Sequence, residues 1–185
     1  GKEKILWGRD YINENIGKYS YKISSDSFFQ TNTKQTEVLY NLIAKICDFK
    51  GNEVVYDLYC GTGSIGIYIA KYVKMVYGVE IMMPAVIDAI ENAKNNKIKN
   101  IQFFYGVLIN FFQNNQESKL IEKPDLIILD PPRAGIHNKT LIDIMNFNPK
   151  KIVYVSCNPS TQARDISILN NNNYLIKEIQ PIDMF

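Results

Sequence analysis

The sequence predicts an α/β domain of the doubly wound kind, a parallel sheet with helices on both faces, preceded by a short β-hairpin. Three observations point there. From Glu53 onward, short runs rich in Val and Ile alternate with stretches of helical period. The first run leads straight into a glycine-rich turn, Cys60-Gly61-Thr62-Gly63-Ser64-Ile65-Gly66, which feeds the next helical stretch. A chain of 185 residues, 46% hydrophobic and 22% charged, also suffices to bury one core of its own.

The elements follow in order. Residues 5–24 alternate aromatic and polar side chains around Asn13-Glu14-Asn15-Ile16-Gly17, which predicts a hairpin turning at those Asn and Gly residues. The spacing of Val38, Leu39, Leu42, Ile43 and Ile46 predicts a helix, with Asn32 or Thr33 as its N-cap and Gly51 past its end. Strands are expected at residues 54–58, 75–81, 101–105, 126–130 and 152–156, with a last one at 174–179; helices at 64–72, 85–95, 140–146 and 161–170. Asn170 to Asn173 read as the turn between the last helix and the last strand. Residues 110–123 are polar and carry no clear period. The hairpin, residues 1–25, is set apart from residues 26–185.

Composition narrows function only a little. The net charge is +2 and the arginines are Arg9, Arg133 and Arg164, so a nucleic-acid partner is neither required nor excluded. No apolar run is long enough to span a membrane, and Gly-Lys-Glu-Lys is not a secretory leader, so a soluble cytoplasmic protein is expected. Cys47, Cys60 and Cys157 form no C-x-x-C spacing and no disulfide framework; a reducing compartment and no metal site are expected.

Ligands of open parallel sheets bind outside the carboxyl ends of the strands, and four such ends here carry chemistry. The first is Asp57-Leu58-Tyr59-Cys60 with its glycines, where Gly61 and Gly63 let a ligand approach the backbone. The G-x-G-x-x-G string also matches the dinucleotide fingerprint, so an NAD-dependent oxidoreductase is one reading. Asp57 admits two roles: a carboxylate for a cationic ligand such as S-adenosylmethionine, or a cap on the loop's own N–H groups. The second end is Glu80, a carboxylate placed to accept ribose hydroxyls. The third is Asp130-Pro131-Pro132-Arg133, where two prolines stiffen the chain and aim a polar side chain into the cleft. Arg133 stands where an amine methyltransferase would carry an aromatic, so exocyclic-amine methylation is disfavoured.

The fourth end, Ser156-Cys157-Asn158-Pro159, brings a thiol to the same edge of the sheet. Free thiols are a few per cent thiolate at neutral pH, and a helix opening near Ser160 favours the thiolate, which makes Cys157 the candidate nucleophile. Cys47 reads as a core residue and Cys60 as a packing residue of the glycine loop. His137, Lys18, Lys22, Lys150 and Lys151 read first as solvated groups, the lysines with a phosphate backbone as the other use. Tyr19 and Tyr21 read as hairpin packing.

Taken in order, Phe28-Phe29-Gln30-Thr31-Asn32, the loop from Asp57 to Gly66, Val79-Glu80, Asp130-Pro131-Pro132-Arg133-Ala134-Gly135 and Ser156-Cys157-Asn158-Pro159-Ser160-Thr161 resemble the RNA uracil-5 methyltransferase family. The resemblance spans nearly the whole chain. It implies a Rossmann-like class I S-adenosylmethionine-dependent methyltransferase sheet, and 5-methyluridine formation in RNA, 23S rRNA ahead of tRNA. It also implies Cys157 as nucleophile, with Gln30, Tyr59, Glu80 and Asp130 contacting cofactor or base. The residue reading adds Asp57, Gly61 and Gly63 to the cofactor side and Phe28 and Arg133 to the substrate side, Arg133 either anchoring an RNA phosphate or pairing with Asp130 or another acid. No metal is implied for this stretch.

The chain departs from the family pattern in three places. Gly106-Val107-Leu108-Ile109 holds no carboxylate for the adenine amino group, and Met83-Pro84 replaces the usual Pro then Glu. The family's His-x-Glu general base and final strand lie past the position where this sequence stops, so a truncated catalytic domain is expected. A catalytically silent RNA-binding module of the same fold is the remaining alternative. Oligomeric state has no signature in the sequence.

Overall fold

A computed structural model describes residues 7–108 and 121–184. Among them the chain forms β1 (Tyr11–Ile16), β2 (Tyr19–Ser24), α1 (Thr33–Cys47), β3 (Val54–Leu58) and α2 (Ser64–Ile69), the last followed by a 3-10 turn at Ala70–Tyr72. Then come β4 (Met75–Glu80), α3 (Met83–Asn95), β5 (Ile101–Tyr105), β6 (Leu126–Leu129), α4 (Asn138–Asn146), β7 (Lys151–Tyr154) and α5 (Pro159–Asn170). β1 and β2 pair antiparallel, and the other five strands form one parallel sheet in the order β5-β4-β3-β6-β7. The chain steps outward from β3 to β5, then returns to lay β6 against the other side of β3. The doubly wound expectation holds, and its switch point lies between β3 and β6.

β3 and β6 are buried along their whole length, as a central parallel strand requires, and alternate residues feed two cores. Val55, Val76, Leu126 and Ile128 face one layer with α1, α2 and the hairpin. Tyr56, Leu58, Val79, Ile127 and Leu129 face the other, with Ile136, Leu141 and Ile144 from around α4 and Leu169 from α5. Two of the helix boundaries have clear local causes. Asn32 accepts the Gln35 N–H at 3.1 Å to cap α1, which ends at Asp48 in the left-handed region instead of running to Gly51. Lys151 Nζ donates to the carbonyls of Ile46 and Cys47, placing a positive charge at that helix end.

Two predicted elements are corrected. The hairpin turns at Gly17-Lys18, later than the Asn13 to Gly17 expectation: Ile16 pairs with Tyr19, and Gly17 at φ +55° supplies the turn conformation. Ile16 is fully buried, and that packing keeps Asn13 to Ile16 in the strand. Residues 174–179 form no strand; Leu175, Ile176 and Ile179 lie exposed and the run joins neither sheet, so no ladder bonds hold it extended. The Tyr174 N–H turns back to the Leu169 carbonyl and its hydroxyl donates to the Pro149 carbonyl at 3.0 Å. Most of residues 110–123 lies outside the described residues.

One device was not foreseen. The open edge of β2 is closed by a helix. Asn96 exchanges two hydrogen bonds with the backbone of Ser20, Asn92 two with Lys22, and Asp88 accepts from the Ser24 N–H and from the Ser24 and Ser27 hydroxyls. Four helical residues advance about 6 Å and two strand residues about 6.7 Å, so side chains at i, i+4 and i+8 match every second strand residue. Through this ladder the hairpin is fixed on α3, and the segment Phe28 to Gln30 that leaves it is delivered to the ends of the parallel strands.

Candidate active site

The loop after β3 is folded back onto β4 by main-chain bonds. The N–H groups of Tyr59 and Cys60 both donate to the Val79 carbonyl, at 3.0 and 3.2 Å, with Tyr59 held at φ +63°. Gly61 and Gly63 follow at φ +52° and +77°. A Cβ on Gly63 would stand 2.5 Å from the Phe103 ring, so a side chain fails there on two counts. The Phe28 carbonyl lies 3.8 Å from where a Gly61 Cβ would be, which puts the Phe28 to Gln30 segment beside this loop. Phe28 is 73% exposed, Phe29 packs on Tyr21, and Gln30 is half-buried.

Asp57 is fully buried beneath the loop and accepts the Gly66 N–H at 2.9 Å through Oδ2; its Oδ1 has no partner. Of the two roles open in the sequence, the loop-capping bond is present, made to the first turn of α2. Burial pushes this carboxyl up to about 7; the Gly66 N–H pulls against that, and the charges of Asp130 and Glu80 add to it. Glu80 binds the other flank: Oε2 accepts from the Gly61 N–H at 3.0 Å and Oε1 from Ile81 and Met82 at 2.7 and 2.9 Å. Asp130, first residue past β6, donates its N–H to the Leu58 carbonyl at 3.4 Å, and burial pushes its carboxyl up to about 6. Among the described residues none of these three carboxylates has a Lys, Arg or His ion-pair partner.

Cys157 is exposed, whereas Cys47 and Cys60 are buried, and burial drives the Cys47 thiol up to about 12. Cys157 precedes Asn158, the N-cap of α5, whose side chain accepts the Ser160 N–H at 3.1 Å and donates to the Arg133 carbonyl at 3.0 Å. The thiol therefore belongs to a turn tied directly to the loop after β6. The Arg133 side chain is exposed and makes no ion pair among the described residues.

His137 and the lysines acquire partners that the sequence did not show, whereas Tyr19 and Tyr21 match their reading as hairpin packing. His137 is the N-cap of α4, with Nδ1 accepting the Lys139 N–H at 3.3 Å. Lys22 pairs with Glu91 and Lys150 with Asp125, while Lys18 lies over the Tyr19 ring. Tyr19 and Tyr21 are buried in the hairpin core. Thr161, the last residue of the motif read from the sequence, holds the loop after β6 from α5; the sequence reading missed Arg164 and Asp165, which hold the same loop. Asn158 carried a usable signal, an N-cap residue ahead of Pro at the first helical position; Arg164 and Asp165 carried none, looking like surface charges of a helix.

A glycine loop and carboxylates at adjacent strand ends of a doubly wound sheet mark the edge where such folds bind nucleoside ligands, and a thiol stands at the fourth strand end. The model of the tRNA (uracil-5-)-methyltransferase family matches residues 1–185, and the chain belongs to that family. An uncharacterized RNA methyltransferase of Clostridium acetobutylicum is 44% identical over all of this chain and 40% of its own length. One from Caldanaerobacter subterraneus is 41% identical, again over 40% of its length. The chain thus spans about two fifths of these relatives. The solved tRNA (uracil-54, C5)-methyltransferase of Pyrococcus abyssi, in complex with S-adenosyl-L-homocysteine, superposes with a TM-score of 0.80 at 34% identity, over 97% of this chain and 42% of its own. A ribosomal protein L11 methylase of Lactobacillus delbrueckii shares the fold, with a TM-score of 0.63 at 18% identity over 85% of this chain and 77% of its own.

Proposed function

We propose that this chain is the catalytic part of an S-adenosylmethionine-dependent enzyme that methylates carbon 5 of a uridine in RNA through a cysteine adduct. The observation that carries the reading is the pairing of an exposed thiol, Cys157, with three carboxylates, Asp57, Glu80 and Asp130, that lack cationic partners among the described residues. Unneutralised carboxylates favour a ligand carrying a sulfonium and an ammonium and disfavour a pyrophosphate, which separates this cofactor from NAD. The positive-φ glycines keep side chains away from the main chain beside Glu80, and Asp57, fully buried beneath that loop, acts on a ligand through its charge.

In this reading Gln30, Asp57, Tyr59, Gly61, Gly63, Glu80 and Asp130 hold cofactor and base, while Phe28 and Arg133 meet the RNA. S-adenosylmethionine, when bound, supplies an electrophilic methyl group to an activated carbon 5. The activation is the work of Cys157: its thiolate adds to carbon 6, the double-bond pair moves to carbon 5 and the neighbouring carbonyl oxygen, and later loss of the carbon-5 proton expels the thiolate. A cytoplasmic, reducing compartment keeps that thiol free. For the RNA, 23S rRNA is preferred on the motif resemblance; the Pyrococcus abyssi relative is named for a tRNA uracil, so both RNAs belong in the assay.

RNA carrying 5-fluorouridine tests the chemistry, because fluorine at carbon 5 cannot leave as a proton does. With S-adenosylmethionine present, the intact protein should form a lasting RNA adduct that mass spectrometry locates at Cys157, and Cys157→Ser should form none. Methylated product from normal RNA without any fluorouridine adduct would remove the covalent step. Calorimetry with S-adenosylhomocysteine and NAD side by side tests the cofactor: heat with NAD alone would overturn the assignment.

A further inference from the structure

We infer that the Arg164–Asp165 pair on α5 is a positioning element that sets the separation between the Asp130 loop and Cys157. The inference rests on the proposed nucleophilic role of Cys157. The Asp165 side chain is 0% exposed and accepts the Ile136 N–H and the Tyr154 hydroxyl, each at 2.7 Å. Its other oxygen takes Arg164 Nε at 2.8 Å and Nη2 at 2.7 Å. Arg164 Nη2 donates onward to the carbonyls of Ala134 and Ile136, at 3.0 and 3.4 Å. Gly135, at φ +76°, lies so close that a Cβ there would stand 2.5 Å from Arg164 Nη2 and 2.6 Å from Asp165 Oδ2.

The loop that begins at Asp130 is therefore gripped residue by residue by the helix that begins just after Cys157. Arg133 completes the grip, its carbonyl accepting from Asn158 Nδ2 at 3.0 Å and Thr161 Oγ1 at 3.1 Å. An ion pair with one carboxylate buried and its guanidinium half exposed contributes little net stability. What it supplies is direction: a planar fork and a fully bonded carboxylate permit one loop geometry. A displacement of about 1 Å between reacting groups costs about 10²-fold in rate, so a clamp joining these two segments acts on the chemistry through Asp130 and Cys157 without touching substrate.

The test uses the intact protein with Asp165→Asn, Gly135→Ala and Arg164→Gln. The last removes a half-exposed side chain and leaves Asp165 two of its donors, so it keeps the proposal testable if the others fail to fold. Four quantities are read: single-turnover methylation, the rate of 5-fluorouridine adduct formation, iodoacetamide alkylation of Cys157, and S-adenosylhomocysteine affinity. Both RNA rates should fall about 10²-fold while alkylation and affinity stay within about two-fold. Unchanged RNA rates in Arg164→Gln would overturn the inference, and so would a parallel loss of all four quantities, which marks a purely structural role. A wild-type protein that methylates without forming the adduct would break the nucleophile reading, and with it the inference that depends on it.

Discussion

The loop after β3 is built from main chain: Tyr59 and Cys60 N–H groups on the Val79 carbonyl, Gly61 N–H on Glu80, Gly66 N–H on Asp57. The loop after β6 is built from side chains: Asn158 and Thr161 on the Arg133 carbonyl, Arg164 on Ala134, Asp165 on the Ile136 N–H. The two meet at one switch point yet depend on different residues. A backbone cradle whose N–H groups are already bonded is rigid and tolerates few side chains, which suits holding a cofactor. A side-chain clamp leaves Cys157 and Arg133 exposed, which suits the macromolecular substrate proposed above.

The sharpest way to break this contrast is Cys157→Ala. Methyl transfer should fall by about 10⁴-fold while S-adenosylhomocysteine affinity is retained, measured by single-turnover assay and calorimetry. Loss of cofactor binding would show that the two loops are not separate in function.

Asp57 comes next. Its carboxyl is raised from about 3.9 unfolded to about 7 folded, so its contribution to stability is greatest below pH 4 and is lost as pH rises toward 7. Between pH 5 and 8 the wild-type chain should lose about 2–3 kcal/mol through this group, and Asp57→Asn should lack that loss. Denaturant unfolding at several pH values reads it; Asp130, raised with the same sign, contributes to the slope left over. Identical pH profiles in variant and wild type would contradict the buried, ionisable Asp57.

Gly63→Ala should cost about 1–3 kcal/mol and weaken S-adenosylhomocysteine, because the methyl meets the Phe103 ring from a positive-φ residue. A fully stable variant with normal affinity would show that the cradle has slack. The smallest effect is expected from Asn158→Ala, about 1 kcal/mol from the lost cap of α5, read by thermal unfolding. Here methylation should suffer and cofactor affinity should not; the reverse pattern would invert the assignment of the two loops.

Much of the cradle was legible in advance and much of the clamp was not. Asp57, Gly61, Gly63 and Glu80 stand at the ends of runs whose period is plain, and a glycine turn advertises its own backbone. Cys157 and Asp130 were legible for the same reason, each closing an apolar run. Arg164 and Asp165 sit mid-helix among polar neighbours, and their partners at 134 and 136 lie about thirty residues away. The same holds for Asp88, Asn92 and Asn96, whose four-residue spacing becomes meaningful only once β2 lies alongside.

The sequence by itself determined the alternation of strands and helices, a capped helix start at Asn32 or Thr33, of which the structure uses Asn32, and the chemistry at each strand end, because periodicity, capping and turn preference act between residues a few positions apart. Tertiary structure decided the strand order that sets the switch point between β3 and β6, the turn of the hairpin at Gly17, the absence of a strand at 174–179, and the burial of Asp57 and Asp165. Those outcomes depend on which distant backbone or side-chain group is available to complete a hydrogen bond away from water, and that is fixed only when the whole core has assembled.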